Sequence, residues 1–75
     1  MLSLADVEAA RERIDGVVRW TPLEYSYTFS EMTGADVHLK LETFQRTGAF
    51  KLRGATNRIA TLSPAERDAG VVTAS

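Results

Sequence analysis

Hydrophobic positions recur with two different spacings along this chain, and the switch between them predicts a mixture of helices and strands. Leu4, Val7, Ala10 and Ile14 repeat at helical spacing, while Glu8, Arg11, Glu12 and Arg13 lie mostly elsewhere on the surface. Ser3 and Asp6 offer a hydroxyl and a carboxylate to the free N–H groups at the helix start, and Gly16 tolerates the left-handed backbone that ends a helix. Val17 and Val18 read as a short extended piece. Trp20-Thr21-Pro22-Leu23 then reads as a connector, because Pro22 keeps Thr21 extended. Tyr25 to Thr33 is expected to be a second helix stopped by Gly34, with Met32 and one or two aromatics facing inward. From Asp36 to Glu42 the period drops to two. Val37, Leu39 and Leu41 share one face and His38, Lys40 and Glu42 the other, the pattern of a strand. Thr43 to Gly48 is a polar loop, and Phe50 to Leu62 a helix that packs Ala55, Ile59 and Leu62. Ser63-Pro64-Ala65-Glu66 places a cap, a first-turn proline and a returning carboxylate in the order that starts a helix. That short helix ends at Gly70, and Val71-Val72-Thr73-Ala74-Ser75 reads as a buried strand.

Strands separated by helices point to an α/β fold with an open, mainly parallel sheet flanked by helices. The last strand has no visible partner, so the expectation is a truncated chain, incomplete as a domain. Composition narrows the classes further. With no cysteine, disulfides and thiolate metal sites are excluded, and His38, the one histidine, cannot build a metal site alone. Nine basic against ten acidic residues leave a net charge of -1, which argues against a nucleic-acid binder. Apolar runs are too short to span a membrane, and the start lacks the basic segment and apolar core of a signal peptide. A cytoplasmic location follows by default.

The chemistry is concentrated between Lys40 and Ala55. A strand runs into a polar loop with Gly48, and the loop opens a helix with Lys51 in its first turn. Open α/β sheets bind ligands where strand ends meet helix starts, and a helix N-terminus favours anions such as phosphate. Between Phe50 and Leu52, Lys51 would sit in a partly apolar pocket. Burial there would disfavour the ammonium and make the amine a better nucleophile toward an aldehyde. From spacing alone, however, a lysine at a helix start is more often a solvated charge. Arg46, Arg53 and Arg58 are read as solvent-exposed or paired. No Gly-x-x-x-x-Gly-Lys loop is present, so no nucleotide site is implied.

Thr47-Gly48-Ala49-Phe50-Lys51-Leu52-Arg53-Gly54-Ala55 resembles the Thr-Gly-Ser-Phe-Lys-x-Arg-Gly-Ala signature of fold-type II pyridoxal-phosphate (PLP) enzymes, which share the tryptophan synthase β-like fold. Within that group it is most similar to threonine dehydratases and serine racemases. Asp6-Val7 with Ala10 and Arg13-Ile14, Thr21-Pro22-Leu23, Leu39-Lys40-Leu41-Glu42, Phe44-Gln45 and the Gly70 to Ser75 ending look like family landmarks in their usual order. The resemblance implies that residues 1–69 begin the large PLP-binding domain and 70–75 form the first strand leading into the small domain. It implies that Lys51 carries pyridoxal 5'-phosphate and acts as the base that removes the Cα proton. It also implies that Phe50 lies against the pyridine ring and that Ser75 opens the loop gripping the substrate carboxylate. The implied reaction is deamination of L-threonine to 2-oxobutanoate and ammonia, as in isoleucine biosynthesis, by a homo-oligomer with a small-molecule amino-acid substrate and no nucleic acid, membrane or metal. Ala49 departs from the family's frequent serine, so no hydrogen-bonding role is carried to it.

Three other readings stay open. A serine racemase, or a dehydratase of serine or 3-hydroxyaspartate, would share Lys51. A non-catalytic α/β module would keep the motif for packing alone. An anion- or nucleic-acid-binding piece would use Arg46, Lys51, Arg53 and Arg58 as a basic patch. The isolated 75 residues are expected to have no dehydratase activity and little stable tertiary structure.

Overall fold

The computed structural model describes residues 1–74. In order these form α1 (Leu4–Ile14), β1 (Leu23–Tyr25), α2 (Tyr27–Thr33), β2 (His38–Lys40), a 3-10 turn (Glu42–Phe44), α3 (Lys51–Ala60) and α4 (Pro64–Ala69). Helix ends follow the local chemistry closely. Ser3 and Asp6 form a reciprocal capping box on α1, and Ser63 and Glu66 form another on α4. Gly34 closes α2 in the left-handed conformation, at φ 72°. Helix α2 begins two residues later than expected, because the Ser26 hydroxyl caps it and Tyr25 is taken into a strand.

The sheet differs from the expectation. Among the described residues it has two strands, and they are antiparallel: Leu23 pairs with Lys40, Glu24 with Leu39 and Tyr25 with His38. Leu23, the last residue of the expected connector, thus opens β1, while Trp20 to Pro22 stay outside the strand. Its ladder is bracketed by Leu41 N–H to the Pro22 carbonyl at 3.0 Å and Ser26 N–H to the Val37 carbonyl at 2.8 Å. The Tyr25 and His38 rings meet edge to face, with centroids 5.5 Å apart. Val17 and Val18 are not extended. Both amides bond the Ile14 carbonyl in a turn that tightens the end of α1. Val71 to Ala74 take up no strand pairing among the described residues, and Ser75 lies outside them.

Helix α1 packs on α3, joined by a 3.1 Å hydrogen bond from Arg13 Nη1 to Asn57 Oδ1. Ile14 is the one hydrophobic residue buried among those described. The expected inward faces are largely open: Leu4, Val7, Met32, Phe29, Leu39 and Ile59 are exposed, and so is Ala55. The reason is shape. The Cα radius of gyration is 16.0 Å, against about 11 Å for a compact domain of this length. Apolar stripes therefore form at the expected spacing but do not close on one another.

Candidate functional site

The segment between β2 and α3 is held by polar bonds rather than by packing. Gln45 is its most buried residue, at 4% exposure, and its amide brackets residue 19. Its Oε1 accepts from Arg19 N–H at 2.8 Å, and its Nε2 donates to the Arg19 carbonyl at 2.8 Å and to Glu42 Oε2 at 3.0 Å. Thr21, also buried, donates from Oγ1 to the same Glu42 oxygen at 2.9 Å. The other carboxylate oxygen, Oε1, receives Arg53 Nε in an ion pair. The Glu42 side chain is 14% exposed and that of Arg53 34%, so the pair is partly shielded from water. Arg53, with help from Gln45 and Thr21, holds the Glu42 carboxyl well below the usual range, at about 2.

Further bonds lash the 17–21 connector to the same loop. Arg46 Nε donates to the Val17 carbonyl at 2.9 Å, and Lys40 Nζ to the Thr21 carbonyl at 2.6 Å. Alternation puts Glu42 on one strand face with His38 and Lys40, whereas it lies in the 3-10 turn, and neither Gln45 nor Thr21 stands out chemically in the sequence. Their signal was only their place among the family-like landmarks, since bonds spanning 19 to 26 residues leave no local periodicity.

Lys51 is the first residue of α3, as expected. The loop reaches it through Gly48, at φ 72°, whose N–H bonds the Gln45 carbonyl at 2.9 Å. The expected apolar pocket is not built by the described residues. Lys51 is exposed and Phe50 is 68% exposed, because the described residues place nothing over them. A groove lined in part by Arg11, Trp20, Lys40 and Arg53 includes neither residue. The two lysines are in contrasting states. Lys40 is committed to a backbone carbonyl, whereas among the described residues the Lys51 amine has no hydrogen-bond or ion-pair partner. An amine that must condense with an aldehyde needs that freedom. An exposed amine in the first turn of a helix is chemically suited to the PLP aldehyde, and Phe50 precedes it in the chain as an exposed aromatic. Arg46 and Arg53 are bound within the loop network, and Arg58 bonds Thr61 Oγ1, so the three do not form a free basic patch with Lys51. Among the described residues no cluster of side chains could hold a metal ion, and no helix is long and apolar enough to cross a membrane.

Comparisons with known proteins agree with this chemistry. The family described as pyridoxal-phosphate dependent enzyme matches residues 14–75. The L-threonine ammonia-lyase of Thermotoga maritima is 49% identical over 100% of this chain and 19% of its own length. The L-threo-3-hydroxyaspartate ammonia-lyase of a Pseudomonas species is 47% identical over 93% of the chain and 22% of its own. A serine racemase of Dictyostelium discoideum is 39% identical over 96% and 22%. The chain therefore spans about a fifth of the length of the relatives it matches. No solved structure matches it. With a family match over residues 14–75 and a threonine ammonia-lyase 49% identical over all 75 residues, this chain belongs to the pyridoxal-phosphate dependent enzymes and is threonine dehydratase-like.

Proposed function

We propose that the protein carrying this segment is an ammonia-lyase that converts L-threonine to 2-oxobutanoate and ammonia, with Lys51 as the residue that holds PLP. The observation that carries the reading is the Lys51 amine at the start of α3, which has no partner among the described residues, whereas Lys40 donates to the Thr21 carbonyl. Bound PLP supplies the electron sink that makes loss of a Cα proton and a β-hydroxyl feasible. Lys51 then serves as general base for the Cα proton. Phe50 offers its exposed ring to a face of the pyridine, and Ser75 begins the contact with the substrate carboxylate. In this reading residues 1–69 open the large cofactor domain, and 70–75 become a strand of a mainly parallel sheet once a neighbour pairs with them. The whole protein is a cytoplasmic homo-oligomer.

A second reading is favoured by the relatives themselves, which include a 3-hydroxyaspartate ammonia-lyase and a serine racemase. All three substrates need the same lysine, so Lys51 alone does not choose among them. The deciding experiment combines borohydride reduction of the full-length protein with PLP, peptide mapping, and ammonia release from threonine, serine and 3-hydroxyaspartate. The expected result is a pyridoxyl group on Lys51 and fastest release from threonine. An adduct elsewhere would remove the assignment of Lys51, and faster release from 3-hydroxyaspartate would replace threonine as substrate.

A further inference from the structure

Helix α3 differs from the other helices in one respect that bears on Lys51. Ser3, Ser26 and Ser63 each cap their helix through a side chain, but at α3 the cap position is Phe50, which makes no side-chain capping bond. The first turn of α3 is tied instead through its third residue. Arg53 reaches back across the loop to Glu42, eleven residues earlier, and closes the two ends of the Thr43 to Leu52 segment on each other. Lys51 sits two positions before Arg53 in the same turn, a rise of about 3 Å at about 1.5 Å per residue. Whatever fixes Arg53 therefore fixes the root of the Lys51 side chain.

The carboxylate at the other end is itself fixed from two further directions. Thr21 and Gln45 both donate to its second oxygen, and Gln45 is anchored on the backbone of residue 19. Both oxygens of Glu42 are thus occupied, by donors from the connector, the loop and the helix. Held low by Arg53, such a carboxylate is a poor proton acceptor, and it makes no bond to Lys51. Its geometry suits aiming rather than chemistry.

We infer that Glu42 is a positioning residue for Lys51: by gathering Thr21, Gln45 and Arg53 it sets where the uncapped first turn of α3 presents the Lys51 amine. This rests on the reading of Lys51 as the PLP lysine. Misplacing a reacting group by about 1 Å costs on the order of 100-fold in rate, so the effect belongs in turnover rather than in substrate affinity.

The test uses the full-length protein with PLP and the variants Glu42→Ala, Glu42→Gln and Arg53→Lys. Three quantities are read: visible circular dichroism of the bound cofactor, kcat against KM for threonine, and the ratio of borohydride-trapped pyridoxyl on Lys51 to that on Lys40. Glu42→Ala is expected to lose most of the dichroism at unchanged cofactor content, and to lower kcat by roughly 10- to 100-fold with KM within about 3-fold. Glu42→Gln, which keeps the acceptor oxygen but not the charge, is expected to fall between wild type and Glu42→Ala. Arg53→Lys keeps charge but moves the donor, and is expected to resemble Glu42→Ala; it and Glu42→Gln carry the test if Glu42→Ala does not fold. Wild-type dichroism and kcat in all folded variants would overturn the inference. So would losses accompanied by a rise of Lys40 labelling to parity with Lys51, which would mean that the whole connector had come apart. If wild-type protein traps no pyridoxyl on Lys51, the fault lies with the PLP reading itself, and the inference falls with it.

Discussion

Gln45 gives the sharpest test of the hydrogen-bond scaffold, because its amide satisfies both backbone groups of one residue. Gln45→Met keeps length and volume but removes the bonds to the Arg19 N–H and carbonyl, each 2.8 Å long. A net hydrogen bond contributes about 0.5–1.5 kcal/mol, so losing these two costs about 2 kcal/mol. The bond to Glu42 is left out of that figure, since Thr21 and Arg53 still hold the carboxylate. Because the Arg19 amide hydrogen is held by the Gln45 side chain, the loss can be read at that hydrogen. Two kcal/mol corresponds to about a 30-fold faster exchange with solvent, at about 1.4 kcal/mol per tenfold. The assay is hydrogen exchange at residue resolution, by electron-transfer fragmentation, on full-length wild type and variants. Gln45→Glu serves as the sign control. It puts an oxygen where Nε2 now meets the Arg19 carbonyl and the Glu42 carboxylate, so it must be worse than Gln45→Met. Exchange at Arg19 within about 3-fold of wild type, or Gln45→Glu matching Gln45→Met, would refute the bracket.

Three further outcomes follow from the same geometry. The Glu42 carboxyl titrates at about 2 in the fold against 4.5 when free. The stabilisation it brings is therefore complete above about pH 4.5 and drains away as pH falls toward 2, and Glu42→Gln should flatten the acid limb of a melting-temperature profile across that window. Asp6 and Glu66, held low chiefly by the backbone N–H groups of Ser3 and Ser63, titrate in the same direction and should leave a residual slope in that variant. Gly48→Ala places a Cβ 3.9 Å from the Thr43 carbonyl, an ordinary contact. Its cost is then the left-handed backbone alone, about 1 kcal/mol, measurable as a shift in denaturant midpoint, with Gly48→Asn costing less. Finally, the isolated 75 residues should melt without a cooperative transition by circular dichroism and release no ammonia from threonine, since Ile14 is the one buried hydrophobic residue among those described. A sigmoidal melt would show that the chain closes a core by itself.

Legibility in the sequence tracked the range of the interaction. Both serine capping boxes, the glycine stop at Gly34 and the placement of Lys51 in the first turn of α3 depend on residues within four of each other, and each was readable from the chain alone. The pairing of β1 with β2 depends on contacts across a whole helix. Leu23-Glu24-Tyr25 alternates over three residues only, too few to announce a strand, and Tyr25 reads equally as the start of α2. Burial was misjudged for a different reason. Helical and strand periodicity says which face is apolar, but not what covers it. In this chain the faces of Leu4, Met32 and Ile59 remain uncovered among the described residues.

The site itself shows why a polar residue's role resists reading from pattern. Alternation puts Glu42 on the same strand face as His38 and Lys40. The strand, however, stops at Lys40, and the chain turns through a 3-10 segment that swings Glu42 toward Thr21, Gln45 and Arg53. A lone carboxylate moved from water into that setting would be costly, so the residue is tenable only with its donors in place. Those donors come from three separated stretches of chain. The same requirement makes the arrangement informative about function. A protein that needed only to join β2 to α3 had cheaper apolar or fully solvated ways to do it. A network that uses both oxygens of one carboxylate to hold the turn carrying a free lysine makes most sense where the direction of that lysine matters.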